Sequence, residues 1–244
     1  MKRRRRRKQS LNWLYRNKVK TICLVVFLYL CLEVWTIPFQ DIRTLKTENP
    51  DQTALMQQRQ EEALQKDQRF VMTQHWVPLS TIPHHMRNAI VVAEDGAFYA
   101  HAGVDWYEVW ESVQANWKHG RLVRGGSTIT QQVAKNLYLS PAKTPIRKFK
   151  ELIIAFLLEA HLSKGRILEI YLNSIEWGRG IFGIEAAAQT YFGKSASNLT
   201  QDESARLAVV VPNPRAYRPN TSQTYVLRKK QLVLERMTAR ASQR

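Results

Sequence analysis

Cysteine is nearly absent from the 244 residues: Cys23 and Cys31 are the only two, and both fall in one apolar run. Such a pair builds neither a disulfide framework nor a zinc site. Acidic residues are also scarce, 20 against 37 lysines and arginines. None lies in residues 1–20, which hold ten of the cations; the net charge of +17 less those ten leaves +7 for the remainder. The strong basicity is therefore mostly a tail. Strand-like alternation is sparse, apart from a short candidate around Phe70 to Val77, and no period repeats, so the chain reads as mainly α. Neither D-x-D nor H-E-x-x-H occurs, which removes two short signatures of a metal site.

What is present begins with the span. Thr21 to Phe39 reads TICLVVFLYLCLEVWTIPF with Glu33 its only charge, close to the roughly 20 apolar residues that cross a bilayer. A basic run could bind nucleic acid, but one placed directly before a span reads as an orientation signal that keeps this end inside. No A-x-A-like cleavage site follows the run, and Trp35 suits an interfacial anchor, so the span reads as uncleaved. The rest of the chain would then be extracytoplasmic. The expected organisation is a basic cytoplasmic tail (1–20), a transmembrane helix (21–39), a solvated stalk (40–70) and a folded domain (71–244). Within the stalk, Asp51 is a candidate cap for a short helix through TALMQQRQEEALQK.

Three blocks of the domain carry chemistry. Pro83 suits the first turn of a helix, with Ser80 and Thr81 as cap candidates. Met86, Ala89, Ile90 and Ala93 then recur at i, i+3, i+4 and i+7, so this helix ends near Glu94-Asp95-Gly96. Two carboxylates at the negative end of a helix cost a few tenths to about 1 kcal/mol, and broken local rules of this kind gather at functional sites. In Arg124 to Leu139, two glycines and Ser127 approach a helix with Ile129, Val133 and Leu137 on one stripe and Thr128, Gln132 and Lys135 on another. A helix N-terminus with a lysine two turns on fits a phosphate or pyrophosphate. After Pro145, Ile146, Phe149, Ile153, Phe156, Leu157 and Ala160 form a broad apolar face, and Arg147, Lys148 and Glu151 lie on another. Helices are further expected over Ser163 to Trp177 and over Ile184 to Phe192, the latter closed by Gly193. Thr200-Gln-Asp-Glu203 is a capping box that opens a helix stopping at Pro212. A basic amphipathic helix follows, from about Tyr225 to Thr238; it could pack on the domain or lie on an anionic membrane surface, and packing is the default expectation.

Three short patterns mislead. Gly178 to Gly183 spells GxGxxG, but the preceding segment reads as helix and no βαβ alternation surrounds it. Gly193-Lys194-Ser195 resembles the end of a Walker A loop, yet Ala188 stands where its first glycine belongs. Ser140 to Lys143 matches S-x-x-K without the K-T-G that should follow.

Taken together, EDGAFYAHAGVD, GGSTITQQVAKN, RKFKELIIAFLLE, KGRILEIYLNSIEWGRGIFGIEAAAQTYFGK and RLAVVVPNPRAYRP resemble, in order and over about Trp76 to Pro219, the peptidoglycan glycosyltransferases of glycosyltransferase family 51. The resemblance implies a lysozyme-like, mainly helical domain with a membrane-proximal jaw lobe. It implies polymerisation of lipid II into β-1,4 glycan strands with release of undecaprenyl pyrophosphate, in the bacterial inner membrane. By matching motif, Glu94 looks like the general base and Glu151 like the second active-site carboxylate. Lys135, Arg147 and Lys148 look like the groups that hold the donor's pyrophosphate, and Ser127, Thr128, Gln132 and Asn136 like cleft lining. No cofactor is required on this reading, with a divalent cation (Mg or Mn) left open and no metal-binding residue assigned. The expected partners are lipid II, the growing strand, membrane lipids and proteins of the cell-wall or division machinery, but no nucleic acid.

The chemistry matches these residue types. A sugar 4-hydroxyl is a poor nucleophile and needs a carboxylate to take its proton, and a pyrophosphate leaving group needs charge neutralisation more than protonation. Glu94 would act best with a raised pKa, toward which the helix C-terminus and Asp95 both push. A lytic enzyme on a lysozyme-like fold and a non-catalytic basic binding protein are the rivals. The cation-rich second carboxylate and the anchor argue against the first, and the Glu94 and Glu151 blocks against the second.

Overall fold

The computed structural model describes residues 2–121, 125–142 and 144–242, with side chains from residue 17 onward; Arg124 and Lys143 lie outside the described residues. Two compact units result, Met1–Pro38 and Phe39–Arg244. The first is helix α1 (Lys2–Trp35), in which tail and apolar run form one continuous helix. The expected span overshoots it, because the chain turns at Thr36 to Pro38. Among the described residues one helix, here, is long and apolar enough to cross a membrane. Cys23 and Cys31 are free thiols on it.

The second unit begins earlier than the sequence suggested. Residues 40–70 are not a solvated stalk: α2 (Phe39–Thr44) and α3 (Ala54–Leu64) bury Ile42, Thr53, Met56 and Ala63. Thr53, not Asp51, caps α3, accepting from the backbone of Met56. Polar bonds tie the segment down as well. Arg166 donates to the backbone oxygens of Leu45 and Glu48, and Arg59 donates to the buried Glu176. A composition that is polar overall conceals the few apolar residues that dock it.

Helix α4 (His84–Glu94) has Pro83 as its N-cap, one position earlier than expected, and a short 3₁₀ turn occupies Leu79–Thr81, so neither Ser80 nor Thr81 caps it. It buries Met86, Ala89 and Ile90 against α10 (Gln201–Val210) and α11 (Thr224–Ala241). Helix α6 (Ile129–Tyr138) is the centre of the other half, packed by α3, α7 (Pro145–His161) and α8 (Lys164–Ser174). The apolar face expected on α7 is the wrong one. Glu151, Ile154, Ala155 and Leu158 point inward, while Phe149 and Phe156 are exposed. Apolar residues occur all round this helix, and two cations beside Glu151 let a carboxylate occupy the buried stripe.

Helix α8 ends at Ser174, three residues short of expectation, because the Asn173 side chain ties to both backbone groups of Val77 and the chain then runs into a sheet. Strands β1 (Thr73–Gln74), β2 (Glu176–Gly178) and β3 (Ile181–Phe182) form that sheet, ordered β1-β3-β2, β3 pairing parallel to β1 and antiparallel to β2. The segment before GxGxxG is thus a strand, yet the glycines serve a hairpin. Gly180 has φ +75° and a Cβ there would lie 2.2 Å from the Val71 oxygen; Gly183 has φ +79° and opens α9 (Ile184–Phe192). Thr200 and Glu203 form the expected capping box. Helix α11 packs on α10 and α4, and Lys230 reinforces this with a 2.5 Å pair to Asp202.

Candidate active site

The carboxylates at the end of α4 divide their work. Asp95 accepts from the backbone N–H of Ile129 at 2.9 Å and pairs with His101 Nε2 at 2.9 Å. It therefore satisfies an orphan donor at the N-terminus of α6 and fastens that helix to α4. Burial pushes its pKa up, against the opposing pull of His101 and Ile129. Sequence reading had given Asp95 only the role of a like-charged neighbour.

Glu94 faces a cavity of about 720 Å³ that Gly96, Asp105, Glu108, Arg236 and Arg240 also line. Its Oε2 accepts from Gln132 Nε2 at 2.8 Å. Its pKa is raised, first by desolvation, with Asp95 a lesser contributor, while Gln132 and Lys135 pull the other way. The direction is the expected one, but burial and not the neighbouring charge is the main cause.

Glu151 projects inward from α7 and is 3% exposed. Arg147 Nη1 lies 2.7 Å from one of its oxygens and Lys148 Nζ 2.5 Å from the other. Lys148 also reaches Ser127 Oγ at 3.3 Å. These groups, with Lys135 and Asn136, line a second cavity of about 450 Å³. Ser127 lines both cavities, so they adjoin at the loop before α6. Lys135 has an accessible surface yet sits against cleft walls that displace water, which lowers its pKa; Glu151 and Glu94 draw it back up. It feels both carboxylates, and so ties the two halves electrostatically.

All nine expected site residues thus line one of two adjoining cavities, Gln132 the second of them and Thr128 the first. Thr128 is different. It is 2% exposed, and its hydroxyl donates to Gly103 O and accepts from Gln131 N as the N-cap of α6. Its side chain holds the helix in place instead of presenting itself to a ligand. Residues that the sequence reading missed are Tyr171, whose hydroxyl reaches Gln132, and Arg236 and Arg240 on α11. The arginines carried the signal of a basic C-terminal helix; Tyr171 sits in an apolar stretch and carried none.

Asp95, His101 and Asp105 bring ligand atoms within 4.8 Å of one another. Asp95 is already bonded to two nitrogens and Asp105 caps α5 (Trp106–His119) through the Glu108 N–H. A cation there would have to displace these bonds, so the donor set fits a fastening role better than a resident metal.

A transglycosylase family model matches residues 60–238. Among similar proteins, the biosynthetic peptidoglycan transglycosylase of Nitrosospira multiformis is 43% identical over 215 residues, covering 88% of this chain and 91% of its own. That of Dechloromonas aromatica is 48% identical over 191 residues, 78% of this chain and 83% of its own. That of Laribacter hongkongensis is 40% identical over 227 residues, 93% and 97% respectively. With five sequence motifs gathered around two adjoining cavities and relatives aligned along most of their length, the chain belongs to the transglycosylase family.

Proposed function

We propose that this enzyme polymerises peptidoglycan glycan strands, transferring the growing lipid-linked strand onto the 4-hydroxyl of the N-acetylglucosamine of lipid II. The observation that carries the reading is the contrast between the two carboxylates. Glu94 is desolvated and bonded to a neutral amide, whereas Glu151 lies between two cations. Glu94 has the environment of a general base and takes the proton of the attacking hydroxyl. That oxygen bonds to the anomeric carbon as the carbon–pyrophosphate bond breaks, and attack opposite the leaving group inverts the configuration. Lys135, Arg147 and Lys148 neutralise the departing undecaprenyl pyrophosphate, held near Glu151, with Ser127, Gln132 and Asn136 lining its approach. These cations meet the leaving group's charge without a resident metal; a divalent ion, Mg or Mn, arriving with the pyrophosphate is compatible with the same arrangement.

The membrane belongs to the reading. The basic run before the apolar part of α1 favours a cytoplasmic N-terminus and an extracytoplasmic domain. Trp106, Tyr107, Trp110, Val113 and Trp117 make an exposed apolar face on α5, with the composition of a surface that rests on a lipid interface.

The test is detergent-solubilised protein incubated with fluorescent lipid II, beside Glu94→Gln, with products separated by gel before and after muramidase digestion. The expected result is a muramidase-sensitive ladder from the parent protein alone. Shortening of preformed strands without a ladder would replace this reading by a lytic one.

A further inference from the structure

Tyr171 is fully buried on α8, between the site and the core. Its hydroxyl donates to Gln132 Oε1 at 3.1 Å, and the same carboxamide donates through Nε2 to Glu94 Oε2 at 2.8 Å. A carboxamide has one accepting end and one donating end, and the two are interchanged by a half-turn about its terminal bond. Turned round, Gln132 would offer an oxygen to the Glu94 carboxylate, an arrangement that only protonated Glu94 could satisfy. The tyrosine hydroxyl at the far end decides which orientation is favoured, because it donates to the oxygen.

We propose that Tyr171 is a positioning residue for the general base, acting through Gln132 to keep an N–H, and never a carbonyl oxygen, against Glu94. This rests on the reading of Glu94 as the base. Burial, with Glu94 and Asp95 nearby, holds the Tyr171 hydroxyl well above its ordinary pKa, so it stays a donor throughout the working pH range. The other charges around Glu94 come from several elements. Asp95 follows it at the end of α4, Lys135 stands on α6, Asp105 and Glu108 lie at the start of α5, and Arg236 and Arg240 reach the cavity from α11. None of these is bonded to Gln132 Oε1, so none replaces the tyrosine in orienting the amide.

The test is the pH–rate profile of lipid II polymerisation by the full chain in detergent. The variants are Tyr171→Phe, Gln132→Met, the two combined, and Glu94→Gln. Tyr171→Phe removes one oxygen and keeps the ring. With the amide free to turn, Glu94 is protonated more readily, so the acid limb moves to higher pH by about one unit and turnover on that limb falls about tenfold, with KM unchanged. Gln132→Met removes the amide and moves the limb the same way, and adding Tyr171→Phe to it changes nothing further. A Tyr171→Phe profile that superimposes on the parent's overturns the proposal, as does an equal further loss in the Gln132→Met background. Should Tyr171→Phe not fold, an unmoved limb in Gln132→Met overturns it alone. Turnover by Glu94→Gln would instead remove the base assignment beneath it.

Discussion

Arg147 Nη1 lies 2.7 Å from Glu151 Oε2, one helical turn away on α7, and closes a pair that Lys148 completes at the other oxygen. Two of the three cations proposed to receive the pyrophosphate are thus engaged by a protein carboxylate. On the proposed function, a phosphate entering the smaller cavity would compete with Glu151 for them, and the competition would keep the leaving group from binding too tightly to depart. Glu151→Gln is therefore expected to bind inorganic pyrophosphate about fivefold more tightly, the equivalent of one partly exposed pair worth about 1 kcal/mol. Polymerisation by this variant should fall. Calorimetric titration with pyrophosphate checks the first expectation, and weaker binding than the parent's would show that Glu151 assists the anion instead of competing with it.

Glu94 makes a pH prediction with two readouts of opposite benefit. Its pKa is raised by burial, so the folded state holds the proton more tightly than the unfolded chain. The stability it contributes is fully present below the unfolded carboxylate pKa and is lost as pH rises through the folded value. Above its folded pKa the ionised side chain is a desolvated charge that weakens the fold. Glu94→Gln should consequently unfold at a higher temperature there, by about 2–4 °C for each kcal/mol recovered. The gain should vanish below the ordinary carboxylate range. Turnover follows the reverse course, with an acid limb above that range in the parent enzyme and a loss on the order of 10²–10⁴-fold in the variant. Thermal melts at several pH values beside the rate profile test both; a melting gain independent of pH would show that Glu94 is not desolvated.

The exposed tryptophans of α5 should matter to membranes and not to folding. Trp110 and Trp117 are 61% and 88% exposed. Replacing each with serine should weaken sedimentation of the domain with anionic vesicles by about tenfold per residue, as burial of a large side chain would predict. The melting temperature should stay within about 1 °C, since surface changes of this kind move stability little. Unchanged vesicle binding by the double variant would leave this face without a lipid role.

What the sequence made legible depended on how local the cause was. The register of α6, the capping box at Thr200 and the end of α4 at Glu94 follow from residues within one or two turns, and all three stand in the structure. Glu151 was legible as a carboxylate among cations because Arg147 and Lys148 lie on its own helix. The inward face of α7 was not, since its apolar residues surround the helix and only the neighbouring α6 selects a side. Asp95 and Tyr171 draw their roles from partners 34 and 39 residues away in the chain. Periodicity carries no information about such pairs. Residues 40–70 failed in the same way: few apolar side chains dock them, and each docks against elements distant in sequence.

That segment supplies the remaining prediction. Arg59 Nε lies 2.7 Å from Glu176 Oε2, joining α3 to the start of β2, and the Glu176 side chain is 3% exposed. Burial raises the pKa of Glu176 while Arg59 opposes it, so the arginine is what makes the ionised form tolerable there. Arg59→Met keeps the aliphatic reach and removes the charge, leaving a buried carboxylate unpaired. Because Arg59 retains some contact with water, the cost should be about 2 kcal/mol, below that of breaking a fully buried pair. Melting should fall by roughly 4–8 °C at neutral pH. It should recover at low pH, where Glu176 takes up a proton, or on adding Glu176→Gln. A residue in a solvated stalk would give no change in melting at any pH, so a thermal scan of this one variant decides whether residues 40–70 belong to the domain's stability.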